Sequence, residues 1–344
     1  MSVKDGATVT TRHLRADPAG IADAASLLAQ GELVAFPTET VYGLGADARS
    51  LEAVAGIYRA KGRPSANPLI VHVADLAAAE KLGVFNPAAR RLAEAFWPGS
   101  LTLVVPLRPG SGLAPAVTAD QETVGLRVPA GQVALALLTK AGCPVAAPSA
   151  NPSGRLSPTE AAHVLDPETG LGGRIAAVLD GGPTTVGLES TIIAATEPDG
   201  GHLRLLRPGG LTAERLQAAI GLPIVTPDHE TASVAEPAAL EAPGMMASHY
   251  APNARLRLSA TAPQQGEAWL GFGPDPEGVA EASVSQNLSK TGDPAEAAQN
   301  LFAALRRLDA AIGAGGTIAV APVPDGGLGR AINDRLARAA APRS

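Results

Sequence analysis

Two cationic side chains and an amide lie close together in the segment Lys61-Gly-Arg63-Pro-Ser-Ala-Asn67-Pro. Lys61 and Arg63 are two residues apart, so in an extended loop their side chains point the same way and can converge on one anion. Asn67 adds a donor and an acceptor, and His72 follows on the apolar run PLIVHV, whose neighbours predict a side chain facing the interior or a pocket. The segment indicates an anion site, although a K-x-R pair also occurs in solvated loops.

A second polar segment, APSANPSG at residues 147–154, directly follows the apolar run PVAA, with Ser157 and Thr159 just beyond it. Its hydroxyl and amide groups, including Ser149 and Asn151, suit a phosphate or ribose pocket, because α/β sheets form binding crevices where strands end. A turn before the next helix explains the same composition, so this segment alone leaves both interpretations open.

Three further segments place polar groups beside apolar runs. They are ETVGLRVPA, with Thr123 and Arg127, GLEST, with Ser190, and LRPGG, with Arg207. Arg127 lies between apolar residues, and a cation there needs an anionic partner or ligand because burying an unpaired charge is costly. Glu39 and Glu189 could assist proton transfer or order water, or they could serve only as caps and structural hydrogen-bond partners.

Several common sites are disfavoured. The stretch GLGADA at 43–48 matches a loose dinucleotide pattern, but Pro37 and polar residues separate it from the preceding apolar run, so we predict a tight turn there. No phosphate loop of the form G-x-x-x-x-G-K-[ST] occurs. Cys143 is the single cysteine, flanked by Gly and Pro, which disfavours a disulfide, a cysteine-rich metal site and a covalent nucleophile.

Short apolar runs alternate with helical stretches, which predicts an α/β fold. A helix is expected over residues 17–30 with Asp17 as its N-cap, and another over residues 50–60. Expected strands include residues 32–36, 68–73, 144–148 and 175–179, and the runs LTLVVPL and ESTIIAA. From Arg255 a second pattern begins, with strands RLRLS, AWLGFG and TIAVAPV and helices PAEAAQNLFAALRRLDAAI and GRAINDRLARAA.

The length of 344 residues predicts two domains, which we place at 1–213 and 255–344 with a linker or lid segment at 214–254. The net charge of −6 and 3% aromatic residues argue against a broad nucleic-acid surface. An apolar signal core and a membrane-length apolar run are both missing from the sequence, which predicts a cytoplasmic protein without a membrane partner.

The polar segments together resemble the YrdC-like threonylcarbamoyl-AMP synthase family in its long form. The resemblance rests on FPTETVYGLGADA, KGRPSANPLIVHV, FWPGSLTLVV, VGLRVPA, APSANPSGRLSPT, GLESTII and LRPGG, and on APGMMASHYAP and DGGLGRAINDRLARAA in the tail. It implies a twisted, open α/β sheet with a concave cavity and a small C-terminal Rossmann-like α/β domain. It also implies that L-threonine, bicarbonate and ATP yield threonylcarbamoyl-AMP and pyrophosphate for threonylcarbamoyl-adenosine modification of tRNA.

The resemblance also implies roles for individual residues. Threonine would be held by Thr40, His72, Arg127, the backbone of Ala147, and Ser190; ATP or its adenylate by Arg63, Asn67, Thr123, Ser149, Asn151, Ser157, Arg207 and Tyr250. Lys61 and Arg63 would stabilise phosphate charge in catalysis, with Mg²⁺ arriving on ATP and no dedicated protein metal site. The assignment of Arg207 leaves Arg204 as an alternative, because the loop after ESTII varies in length in this family.

The resemblance further implies a separate tRNA threonylcarbamoyl transferase as the downstream partner, and the SHYAP segment is expected to be a lid. Two alternatives remain: a related enzyme that forms a carbamoyl-adenylate from carbamoyl phosphate, and an RNA-binding module. The missing cysteines disfavour the first, and the acidic charge disfavours the second.

Overall fold

The computed structural model describes residues 10–226, 241–244 and 248–342, which form two α/β units. Part of the predicted 214–254 segment, including Met245 and Met246, lies outside the described residues. The strands of the first unit are β1 (Arg12–Arg15), β2 (Val34–Pro37), β3 (Tyr42–Asp47), β4 (Ile70–His72), β5 (Leu101–Pro106), β6 (Thr123–Arg127), β7 (Val145–Ala146), β8 (Ala177–Asp180), β9 (Thr191–Ala194), β10 (Leu203–Arg207) and β11 (Ile224–Val225). Its helices are α1 (Pro18–Ala29), α2 (Leu51–Lys61), α3 (Leu76–Glu80), α4 (Pro87–Phe96), α5 (Pro115–Thr118), α6 (Gln132–Ala141), α7 (Ala161–Leu165) and α8 (Ala213–Ile220).

Local signals in the sequence account for where the helices begin and end. Asp17 and Ser50 are the N-caps of α1 and α2, since each side chain accepts a hydrogen bond from a backbone N–H of the first turn. Gly62 ends α2 in the left-handed conformation, with φ 62°. The extended loop predicted around Lys61 is therefore wrong: Lys61 is the last residue of α2, and Gly62 turns the chain before Arg63.

The strands of the first unit form one mixed sheet in the order β1-β8-β2-β3-β7-β4-β6-β5-β9-β10-β11. The parallel pairs are β1/β8, β2/β8, β4/β6, β5/β9 and β10/β11. One face packs on α2 and α4 in a core that includes Val54, Leu92 and Leu103. The opposite face packs on α1 and α6 only at one end, so part of the sheet between its edges remains open to a cavity.

Two segments differ from their sequence-based predictions. The GLGADA stretch forms most of β3 rather than a tight turn, and a Cβ at Gly45 would lie 2.9 Å from the Phe36 ring and 3.0 Å from Val145. Glycine is needed there because neighbouring strands approach closely. In addition, β11 pairs with β10, so the first unit continues to Val225, beyond the boundary predicted at residue 213.

The second unit is a smaller, fully parallel sheet with helices. Its strands, in the order β12-β15-β13-β14, are β12 (Arg255–Arg257), β13 (Ala268–Gly271), β14 (Ser285–Asn287) and β15 (Thr317–Val320). Its helices are α9 (Pro294–Ile312) and α10 (Leu328–Ala340), with a 3-10 turn at Val279–Glu281. This is the Rossmann-like α/β arrangement that the sequence predicts for the C-terminal part.

The two units share a hydrophobic core. Val41, Leu156 and Leu188 of the first unit pack in one cluster with α9 and α10, which contribute Phe302 and Ile332. The two units approach closely at Gly187, where an added Cβ would lie 2.4 Å from Cα of Gln299. The second unit is therefore docked directly beside the β2–β3 connection.

Each unit contains one of the chain's two tryptophans. Trp97 follows α4 and is half-buried, with its ring centroid 5.9 Å from that of Phe85. Trp269 lies on β13 and is 2% exposed. In the described residues, the helices are all too short or too polar to cross a membrane.

Candidate active site

A cavity lies over the open face of the large sheet. Ile70 and His72 alternate along β4 and face it together, as the two-residue period of a strand requires. Its lining also includes Thr38, Thr40, Val41, Gly43, Arg63, Arg127, Ala147, Pro148, Ser149, Glu189, Ser190, Arg207, Pro243, Gly244, His249 and Tyr250. The polar segments singled out in the sequence thus meet over one face of the large sheet. Many of their lining residues lie at strand ends: His72 and Arg127 are the last residues of β4 and β6, and Ser149 follows β7.

At one end of the cavity, a buried arginine is held by a carboxylate and a hydroxyl. Arg127 Nη2 donates to Glu39 Oε1 at 2.6 Å and to Thr40 Oγ1 at 3.0 Å. Glu39 also accepts hydrogen bonds from the Ser100 hydroxyl and the Ala130 N–H. Burial alone would raise the pKa of Glu39, but the adjacent Arg127 cation lowers it on balance, so the pair is ionic.

Two buried histidines face the same cavity in neutral form. His72 is paired in register with Arg127 across the parallel strands β4 and β6. Burial, followed by the Arg127 charge, lowers the pKa of His72 to about 3, and burial lowers the pKa of His249 to about 3. Nδ1 of each ring is buried without a hydrogen-bond partner in the described part of the chain, so each is available to a ligand.

Arg63 and Arg207 place two more cations on the cavity. Arg63 donates to the Asn67 side chain at 2.6 Å and to Pro68 O at 2.8 Å. Arg207 donates to Ser190 O at 2.9 Å and to Pro243 O at 3.2 Å. The partners in these bonds are neutral carbonyl groups rather than carboxylates. They do not neutralise the guanidinium charges, which can therefore attract an anionic ligand.

Lys61 lies beside the cavity wall but bonds to protein carbonyls. Its Nζ atom donates to Ser149 O at 2.5 Å and to Asn151 O. Burial, with the neighbouring Arg63 charge, lowers the pKa of Lys61 well below its usual value. The lysine therefore fixes the loop after β7, which carries Ser149 into the cavity.

A second buried carboxylate, Glu189, lines the cavity itself. Glu189 Oε1 accepts from the Ser157 hydroxyl, and Oε2 accepts from Arg335 Nε at 2.8 Å. Burial would raise the pKa of Glu189, but Arg335 and Arg207 lower it on balance. Arg335 belongs to α10, so this contact joins the C-terminal unit to the cavity wall.

Comparison with known proteins agrees with this architecture. A family model described as "Telomere recombination" matches residues 26–209, and one described as "Threonylcarbamoyl-AMP synthase, C-terminal domain" matches residues 211–341. The threonylcarbamoyl-AMP synthase of Bacillus subtilis is 43% identical over 346 residues, covering 97% of this chain and 96% of its own. This chain belongs to the threonylcarbamoyl-AMP synthase family.

Other family members agree over similar lengths. The Pyrococcus abyssi threonylcarbamoyl-AMP synthase is 41% identical and covers 92% of each chain. The crystal structure of P. abyssi Sua5 complexed with L-threonine has 36% identity and a TM-score of 0.82, covering 96% of this chain and 97% of its own. Escherichia coli YciO, with 20% identity and a TM-score of 0.51 over 58% of this chain, shares the fold of the first unit.

The structure brings most of the family-derived residues to the cavity. Those lining it are Thr40, Arg63, His72, Arg127, Ala147, Ser149, Ser190, Arg207 and Tyr250. Of the two arginines left open by the sequence, Arg207 is buried at the cavity, whereas Arg204 pairs with Glu241 on the surface at 2.6 Å. A contact between Arg207 and the nucleotide stays a prediction.

The remaining predicted residues lie behind or beside the cavity. Asn67 contacts Arg63, Ser157 contacts Glu189, and the Asn151 side chain bonds the Pro152 and Arg155 carbonyls. Thr123 lines a smaller neighbouring cleft that shares Ile70 and Pro243 with the main one. Their roles toward ATP stay predictions.

Sequence reasoning overlooked Thr38 and His249 as cavity residues. Thr38 hydrogen-bonds the Thr40 hydroxyl at 2.8 Å, and His249 precedes Tyr250 in the SHYAP segment. The signal available in the sequence was their proximity to Thr40 and Tyr250, which had already been singled out. Among the described residues, no group of three or more His, Cys, Asp or Glu side chains is arranged to hold a metal ion.

Proposed function

We propose that this protein converts L-threonine, bicarbonate and ATP to threonylcarbamoyl-AMP and pyrophosphate, the activated precursor for threonylcarbamoyl-adenosine modification of tRNA. The observation that carries this proposal is the similarity over nearly the whole chain to threonylcarbamoyl-AMP synthases, including one structure complexed with L-threonine. One cavity that combines Arg127 with Arg63 and Arg207 supports it, because ATP and bicarbonate are anions and threonine carries a carboxylate.

The threonine end of the site is the Arg127 end. The Arg127 guanidinium would bind the threonine carboxylate, since a planar fork matches carboxylate geometry. The hydroxyls of Thr40 and Ser190, the neutral His72 ring and the Ala147 backbone surround that position and can bond the amine and hydroxyl groups. A neutral His72 avoids adding a second buried cation beside the substrate ammonium.

The nucleotide end is formed by Arg63, Arg207 and the residues around Glu189. Threonine's ammonium first loses a proton to solvent. The neutral amine then attacks carbon dioxide with release of a proton, or bicarbonate with loss of water, to give a carbamate. An oxygen of that carbamate attacks the α-phosphorus of ATP, and the bond to the leaving pyrophosphate breaks. The arginines stabilise the phosphate charge that develops in this step, and the cavity orients the two reactants. Lys61 contributes by holding Ser149 in place.

A divalent ion, which we propose is Mg²⁺, accompanies ATP. The hydroxyl oxygens of Ser149 and Ser190 in the lining are hard oxygen donors of the kind that Mg²⁺ accepts, so the lining fits an ion held mainly by the ATP phosphates. When bound, it would neutralise phosphate charge. We further propose that the protein acts in the cytoplasm and hands its product to a separate tRNA threonylcarbamoyl transferase.

The direct test is pyrophosphate release from ATP, measured with threonine or bicarbonate omitted in turn. Release that needs both substrates, with threonylcarbamoyl-AMP identified by mass spectrometry, is the expected result. Release without threonine would indicate another acceptor. Salt-sensitive RNA binding with no ATP consumption would overturn the proposal in favour of an RNA-binding module.

A further inference from the structure

Arg335 is a fully buried cation that the C-terminal unit contributes to the junction between the units. Its side chain is 1% exposed and forms ion pairs with Glu189 Oε2 at 2.8 Å and with Asp334 Oδ2 at 2.7 Å. Its Nη2 atom is buried and has no hydrogen-bond partner within the described residues. A buried guanidinium of this kind is costly unless its partners hold it firmly, so its position is closely constrained.

The first cavity residue that Arg335 orients is Glu189. The two carboxylate oxygens of Glu189 have different partners, Ser157 from the first unit and Arg335 from the second. Because each carboxylate oxygen has its own partner, the rotation of the carboxylate in the cavity wall is fixed. Ser190, the next residue, then supplies the carbonyl that holds Arg207.

The second is Tyr250. The Arg335 Cζ atom lies 5.1 Å from the centroid of the tyrosine ring, and the Phe302 ring lies 5.6 Å away. Tyr250 has a φ of 60°, a left-handed backbone conformation that is unfavourable for an aromatic residue. Arg335 and Phe302 both come from the C-terminal unit, so that unit supplies contacts that hold Tyr250 in this conformation.

The threonine end of the cavity is organised differently. Arg127 is held by Glu39, Thr40 and the Gly99 carbonyl, all of which belong to the first unit. Arg335 thus contacts the wall at the nucleotide end of the cavity, whereas Arg127, the cation at the threonine end, is held without it. Ser190, which follows Glu189 and bonds Arg207, belongs to both ends.

We propose that Arg335 is a positioning residue through which the C-terminal unit sets the affinity of the site for ATP. The inference rests on the proposed function for the identity of the two substrates. It differs from a purely structural role, in which the ion pair would join the two units and its loss would lower stability without distinguishing ATP from threonine.

The test compares Arg335→Lys and Arg335→Ala with the wild-type full-length chain. Lysine retains the charge but lacks the planar fork that reaches Glu189 and Asp334 together, so it should rescue only in part. We expect the KM and Kd for ATP to rise from wild type to Arg335→Lys to Arg335→Ala, with an increase of about tenfold to 100-fold for alanine. The Kd for threonine, measured by calorimetry without ATP, should rise by a clearly smaller factor than the Kd for ATP, because Arg127 is held by residues of the first unit.

Arg330→Ala is the matched control. Arg330 is also on α10 and also pairs across the junction, with Glu214 of α8 at 3.5 Å, but it lies away from the main cavity. It should leave the KM for both substrates unchanged. A wild-type ATP KM in Arg335→Lys and Arg335→Ala, or equal losses for ATP and threonine, would overturn the inference.

The more conservative variant, Arg335→Lys, keeps the test decisive if the alanine variant does not fold. If Arg335→Ala does not accumulate as folded protein, Arg335→Lys decides alone, and an unchanged ATP affinity in it would overturn the inference. Direct ATP binding separates the two proposals: a wild-type chain that binds ATP but releases no pyrophosphate contradicts the proposed function, whereas the effect of Arg335 on ATP affinity is still measured.

Discussion

Arg127 Nη2 lies 2.6 Å from Glu39 Oε1, and both side chains are about nine-tenths buried or more. The two residues are 88 positions apart in sequence, yet the pair leaves one part of the guanidinium facing the cavity. If the guanidinium served only to pair with Glu39, it would not need to line a cavity. We therefore propose that Arg127 is a pre-oriented cation for a ligand carboxylate.

Arg127→Ala should therefore weaken threonine binding strongly. Removing a buried charge-assisted contact costs about 2–4 kcal/mol, or a rise in the threonine KM of roughly 30-fold to 1,000-fold. The ATP Kd measured without threonine should change little. Arg49→Ala, which removes an exposed arginine paired with Asp47, is the control and should match wild type in both measurements. A normal threonine KM in Arg127→Ala would contradict the assignment.

Arg207 and Arg204 offer a matched comparison on one strand. Arg207→Ala removes a cavity cation, and we expect kcat/KM for ATP to fall by about 2–4 kcal/mol of transition-state stabilisation. Arg204→Ala removes a half-exposed ion pair with Glu241. It should lower the transition-state stabilisation measured by kcat/KM for ATP by less than about 1 kcal/mol. The measurement is pyrophosphate release against ATP concentration. Similar losses in both variants would argue against the placement of the nucleotide.

Gly187 tests the docking of the two units. A Cβ there would lie 2.4 Å from Gln299 Cα and 2.5 Å from Ala298 O, so Gly187→Ala should separate the units and lower the melting temperature. Gly182→Ala is the control, because Gly182 has a similar φ of 80° but no atom within 4 Å of its added Cβ. Both variants carry the backbone cost of about 1 kcal/mol for alanine at positive φ. Equal melting temperatures for the two would show that the close approach is absent in solution.

Buried neutral histidines predict how stability depends on pH. The native pKa of His72 is lowered to about 3, below the unfolded value of 6.5, so unfolded chains gain a proton first as the pH falls. Stability from this residue is therefore complete above pH 6.5 and declines below it, by about 2 kcal/mol at pH 5. Urea unfolding at pH 7.5 and 5 should show a shallower decline in His72→Gln. The exposed His202→Gln should keep the wild-type slope, and an unchanged slope in His72→Gln would contradict the predicted neutral state.

Local patterns predicted much of the fold. The cap at Asp17, the helix that follows Ser50, the apolar strand PLIVHV and the long helix at Pro294–Ile312 all carry their signals within a few residues. The strand β3 was missed because its two glycines resemble a turn unless the neighbouring strands are known. The strand β14, with sequence SQN, has none of the apolar alternation that identifies a strand.

The site was predictable as a set of motifs but not as a set of contacts. The pair Arg335–Glu189 joins residues 146 positions apart, and no local pattern specifies that α10 docks against the cavity wall. Lys61 was expected to face an anion, but the end of α2 directs it to the carbonyls of the loop after β7. Such contacts depend on how whole elements pack, which a spacing rule does not contain.

The distribution of the two tryptophans gives each unit its own fluorophore. Trp97 reports on the sheet that builds the cavity, and Trp269, at 2% exposure, reports on the C-terminal unit. In Trp97→Phe the remaining emission would follow only the C-terminal unit, and in Trp269→Phe only the catalytic one. Coincident denaturation curves from the two variants would mean that the shared core makes the enzyme a single cooperative body, and separated curves would give the order in which the units melt.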